Sequence, residues 1–239
     1  VLRCASIVDD LIMPRSVQRK QRTDSAQTGS QASRELLCEL LRLFYAKNWV
    51  SGTGGGICGL LEPGTLLVAP TGVHKERVQP TDLFIVDVKS GEMVSRPRNP
   101  ALRLSECNPI FCEIIRTKGA GSVMHSHALS AVLAGDLAEG GDRVIFERLE
   151  MLKGIKGATN QDRHAVAIID NTGYEPDLLH QMRTVLADPA FAKAYCILVR
   201  DHGAYIWGAD VWETKRHAEI YHFLCEGTVA RAGHWPSHH

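Results

Sequence analysis

Two histidines stand two residues apart in Ser122-Val123-Met124-His125-Ser126-His127-Ala128, at the end of an apolar run. In an extended strand residues i and i+2 point to the same face. His125 and His127 therefore share one side, and Met124 and Ser126 the other. Two neutral imidazoles aimed at one point make half of a metal site of the kind that suits zinc, copper, iron or nickel. A third histidine, His202, falls at a predicted strand end, followed by Gly203, which can take a positive φ. Alone it would be an ordinary turn histidine; beside an H-x-H pair it is a candidate ligand.

Other groups could serve such a centre. The run Val50-Ser51-Gly52-Thr53-Gly54-Gly55-Gly56-Ile57 is costly in chain entropy. It makes sense where backbone must approach something closely, and its successive N–H groups could cradle an anion. Neither Gly-Lys-Ser/Thr nor G-x-G-x-x-G is present, so it is no Walker or dinucleotide loop. Pro70-Thr71-Gly72-Val73-His74-Lys75-Glu76-Arg77 offers a hydroxyl, a glycine and two cations near a strand end. That is a second phosphate element, although His74, Glu76 and Arg77 singly read as a solvated turn. Cys107 precedes a proline-led helix, where thiolate character is favoured; a buried filler is the commoner fate of a lone cysteine. Glu147 and Glu150 are carboxylates available for proton transfer, in a run where most glutamates face solvent.

Periodicity supplies the elements that must position these groups. Leu36, Leu37, Leu40, Leu41 and Phe44 predict an amphipathic helix over 34–47. Strands are predicted over 65–69, 83–88, 122–127, 164–169 and 196–200, with another after a turn at 201–202 and a short apolar run at 144–146. Ser90-Gly91-Glu92 reads as a hairpin turn. Asn108 as cap and Pro109 as first residue open a helix that Gly119 ends. Further helices are expected over 128–137, 177–186 and 210–231, the last with Asp210 and Glu213 as a capping box. The mixture predicts a single α/β or α+β domain over 32–231. Residues 1–31 read as a mobile leader and 232–239 as a short tail.

Composition excludes several classes. Lys+Arg and Asp+Glu balance at 27 each, so neither nucleic acid nor a membrane surface is an expected partner. No apolar run approaches the roughly 18 residues of a membrane span. Seven scattered cysteines without a C-x-x-C suggest neither a disulfide framework nor a cysteine-only zinc site. A reducing, cytoplasmic setting is expected.

The order of these motifs, ending in Arg200-Asp201-His202-Gly203-Ala204-Tyr205-Ile206-Trp207-Gly208, resembles the class II aldolase family. Within it the similarity is to a branch that dehydrates a ketose phosphate of methionine salvage. It covers roughly residues 36–229. The resemblance implies a single-domain α/β/α sandwich with a largely antiparallel sheet, a homotetramer, and one Zn2+ per subunit held by His125, His127 and His202. It implies Glu150, in Glu150-Met151-Leu152-Lys153-Gly154-Ile155, as the acid/base and Cys107 as a substrate contact. Gly54, Gly55, Thr71 and Gly72 would hold the phosphate. Arg148-Leu149 departs from the usual His-Gln before that glutamate, and His74 from the usual glutamine. A sugar-phosphate aldolase or epimerase would use the same zinc and phosphate sites. A non-catalytic, adducin-like head would need no zinc ligands, and a plain sugar-phosphate binding module would not need Glu150.

Overall fold

The computed structural model describes residues 33–138 and 140–233. The expected leader, and all but the first two residues of the expected tail, lie outside the described residues. Helix α1 (33–46) buries Leu37, Leu40, Leu41 and Phe44, the stripe set by 3.6-residue periodicity. Then follow β1 (Gly56–Glu62), β2 (Thr65–Val68), β3 (Pro70–Thr71), β4 (Phe84–Asp87), β5 (Met93–Ser95), β6 (Arg103–Leu104) and α2 (Asn108–Lys118). Next come β7 (Ser122–Ser126), α3 (Leu129–Asp136), β8 (Arg143–Glu147), β9 (Arg163–Ile169) and α4 (Leu179–Ala187). The chain closes with β10 (Cys196–Val199), β11 (Gly203–Gly208) and α5 (Val211–Arg231).

Nine strands form one sheet in the order β5-β4-β2-β1-β7-β11-β10-β9-β8, and β3 pairs with β6 apart from it. Every neighbouring pair in the large sheet is antiparallel except β9 and β10. Strand alternation divides the buried residues into two cores. Ile57, Leu67, Met124, Ile206 and Leu198 pack against α1, α3 and α5. Cys58, Leu66, Val123, Tyr205 and Ile197 pack against α2 and α4. This is the expected α/β/α sandwich with a largely antiparallel sheet.

Two local expectations need correction. β1 begins at the end of the expected glycine-rich loop and runs on through residues 58–62, for which no element was expected. Glycine weakens a strand signal, and at Gly59 a Cβ would lie 2.9 Å from Cγ2 of Val211, the first residue of α5. Asn108 does not cap α2. Its side chain donates to the carbonyl of Gly91 at 2.9 Å, and Cys107 takes the N-cap place. Gly119 does end the helix in the left-handed region, at φ 62°. Asp210 does cap α5, accepting from the Glu213 backbone N–H at 2.8 Å.

Strand direction decides which loops meet. β7 is antiparallel to β11 and β11 to β10, while β10 is parallel to β9 and β9 antiparallel to β8. β7, β9 and β10 therefore run the same way. The loops after all three leave the sheet at one end, carrying His127, residues 170–178 and His202. β8 runs the other way and leads into the segment holding Glu150.

Candidate metal centre

His125, His127 and His202 converge at that shared end. Their Nε2 atoms are mutually 2.9, 3.1 and 3.2 Å apart. Nδ1 of His125 lies 3.2 Å from the carbonyl oxygen of Ala204, and Nδ1 of His202 lies 3.0 Å from Oδ1 of Asn171. Each Nδ1 carries the proton and donates it there, so each Nε2 presents a lone pair inward. Burial, reinforced by the neighbouring histidines, pushes His125 well below its usual value and His127 down to about 4. Neutral imidazoles with lone pairs facing one another repel unless a cation sits among them. Their spacing is close to the roughly 3.3 Å edge expected of a tetrahedron with bonds of about 2.0–2.1 Å. The group fits a divalent cation, with positions left open for a ligand.

The surrounding backbone holds this geometry. Gly56 and Tyr205 flank His125 across β1 and β11. A Cβ on Gly203 would lie 1.9 Å from the carbonyl oxygen of Ser126, so the turn carrying His202 can press against the end of β7 only with glycine there. The His127 N–H donates to the carbonyl of Trp49 at 2.8 Å. The Ser126 hydroxyl meets Nε2 of His222 on α5 at 2.7 Å.

Gly54 and Gly55 press on the histidines. A Cβ on Gly54 would sit 2.4 Å from Nδ1 of His127, and one on Gly55 would sit 2.8 Å from the carbonyl oxygen of His125. The glycine-rich loop thus has a packing role beyond the expected phosphate contact. It is tied to the second glycine turn by Lys75, whose buried Nζ donates to the carbonyls of Thr53 at 2.7 Å and Val73 at 3.1 Å. Burial lowers this ammonium to about 8. Thr71 pairs with Arg103, and the Arg103 guanidinium lies where it would touch a Cβ on Gly72.

Cys107 reaches the edge of the site, its Sγ 3.8 Å from Oε1 of Glu175. Burial, and then the charge of Glu175, push its thiol up to about 12. Both effects oppose the pull of the helix N-terminus on this thiol. Glu175 and Tyr205 received no role from the sequence. Oε1 of Glu175 lies 3.2 Å from Nε2 of His125, and Oε2 lies 3.6 Å from Nε2 of His202. The Tyr205 hydroxyl donates to Oε1, while its ring stacks on His125 at 4.2 Å.

Glu150 is elsewhere. It follows β8, which runs antiparallel to β7, and its side chain is 67% exposed. Lys153 at 2.6 Å and Asn160 at 2.8 Å occupy its carboxylate, and Lys153 holds it below the usual carboxylate value. Among the described residues no hydrogen bond or ion pair joins it to the histidines of its own chain. Glu147 likewise pairs with Arg163 at the surface.

Comparison with known proteins agrees with this architecture. The chain is 38% identical over 215 residues to methylthioribulose-1-phosphate dehydratase of Gallus gallus, covering 86% of this chain and 87% of that one. It is 41% identical over 203 residues to the protein of the same name from Osmerus mordax, covering 82% of each. Among solved structures, YgbL of Escherichia coli superposes with a TM-score of 0.66 at 20% identity, covering 87% of this chain and 92% of that one. Residues 35–229 match the model of the Class II Aldolase and Adducin N-terminal domain. The chain belongs to the class II aldolase and adducin family.

Proposed function

We propose that the chain is a zinc-dependent methylthioribulose-1-phosphate dehydratase of methionine salvage. It would convert 5-methylthioribulose 1-phosphate to 5-methylthio-2,3-dioxopentyl phosphate with loss of water. One observation carries the reading: three inward-facing imidazole nitrogens lie 2.9–3.2 Å apart, in a chain similar along most of its length to proteins of that name. His125, His127 and His202 hold the cation and leave room for the substrate carbonyl. Bound there, zinc supplies a Lewis acid that raises the acidity of the adjacent C–H. Glu150 takes the proton from C3, and the C4 hydroxyl leaves as water once protonated. Tautomerisation of the resulting enol gives the diketone. The backbone of Gly54 and Gly55, with Thr71, Gly72 and the exposed Arg103, receives the phosphate and so fixes the reacting carbons. Cys107, as a neutral thiol, lines the substrate position.

Because Glu150 leaves the sheet away from its own triad, the reading requires it from a second copy. The enzyme acts as a homotetramer in which Glu150 of one copy serves the triad of another. A reducing cytoplasm suits the described cysteines, all of which are free and buried. The test supplies 5-methylthioribulose 1-phosphate and follows diketone absorbance for the wild type and His127→Ala. Diketone from the wild type alone is expected. Aldol fragments, an epimer or no product from folded, zinc-loaded wild type would reject the reading.

A further inference from the structure

The histidines bring no charge to a buried dication. With three neutral imidazoles the site would carry the ion's full positive charge, and such a charge is costly to bury without a counter-charge. The buried ammonium of Lys75 adds repulsion at His127. The carboxylate of Glu175 is the group in place. Its two oxygens stand 3.2 and 3.6 Å from the inward nitrogens of His125 and His202. These contacts are lone pair against lone pair, and they become favourable only with a cation between them.

The chain also aims this carboxylate. Tyr205 and Cys107 both donate to Oε1, leaving Oε2 nearer His202. Asn171, four residues before Glu175 in the same loop, holds His202 through Nδ1. One loop thus sets both a candidate ligand and the negative charge. The geometry points to Glu175 as the carboxylate that neutralises the bound cation, aimed by Tyr205 and acting with the three histidines to retain it. The inference rests on the metal reading of the triad and is independent of the substrate.

The test measures Zn2+ affinity of the purified full chain by competition with a chromophoric chelator, and records the visible spectrum of the Co2+-loaded protein. Glu175→Gln keeps the shape and removes the charge. It should weaken Zn2+ binding tenfold to a hundredfold, the range seen when groups supporting metal ligands are lost, and alter the Co2+ spectrum. Tyr205→Phe, which keeps the charge but not its aim, should weaken binding by a smaller factor. Exposed Glu92→Gln should change nothing. Unchanged affinity in a folded Glu175→Gln protein would overturn the inference. If that variant does not fold, unchanged affinity in Tyr205→Phe would overturn it instead. A wild type that binds no metal would remove the metal reading and this inference together, whereas equal binding by wild type and Glu175→Gln removes only the role of Glu175.

Discussion

A methyl group on Gly54 would lie 2.4 Å from Nδ1 and 2.6 Å from Cε1 of His127. The backbone of Gly54 is not in the left-handed region, so alanine there strains no dihedral and its whole effect falls on the imidazole. Gly54→Ala should therefore tilt His127, and displacements of about 1 Å at a reactive centre can cost on the order of a hundredfold. We expect turnover to fall at least tenfold with little change in thermal midpoint, read by parallel assay and unfolding. Wild-type turnover would show that the loop yields instead. At this scale the His125–His127 pair was legible, because an i, i+2 pair in a strand has one geometric consequence, and His202 joined it through the family resemblance. Glu175 was not. It belongs to no local pattern, and only the parallel course of β7, β9 and β10 brings its loop beside the triad.

Between elements, buried histidines join the sheet to α5. His164 on β9 meets the Tyr221 hydroxyl at 3.0 Å, and His222 on α5 meets Ser126 at the end of β7. His222 also stacks on Trp49 at 4.0 Å. Burial lowers both imidazoles from 6.5 to about 4. Their folded values lie below their unfolded ones, so between about 4 and 6.5 the unfolded chain binds more protons. Stability is intact above that window and falls as pH falls through it, by on the order of 3 kcal/mol per histidine at most. Denaturant unfolding of the metal-free protein from pH 7.5 to 4.5 should show this decline. His222→Gln should flatten it; an unchanged slope would deny the assignment. Most elements were readable from periodicity, α1 and α5 above all. β1 was not, because Gly56 and Gly59 interrupt the usual strand pattern.

For the whole molecule, the sandwich and its largely antiparallel sheet followed from the family resemblance, but the strand order and the parallel β9–β10 pair did not. Direction separates Glu150 from the triad of its own chain and makes the proposed acid/base a matter of assembly. Complementation is therefore expected. Glu150→Gln and His127→Ala, each inactive alone, should regain measurable activity when co-expressed in mixed oligomers, since a site can then combine an intact triad with an intact Glu150. Mixed oligomers that remain inactive would place the acid/base within one chain. None of the described helices is long and apolar enough to cross a membrane, and buried apolar clusters lie on both faces of the sheet.

A metal titration of turnover tests the zinc site of this chain. Protein stripped with a chelator is reloaded stepwise with Zn2+, and diketone formation from 5-methylthioribulose 1-phosphate is followed at each step. The account predicts no turnover in the stripped protein, a linear rise to one ion per chain, and a plateau beyond it. Full turnover by metal-free protein, or by His202→Ala, would contradict it.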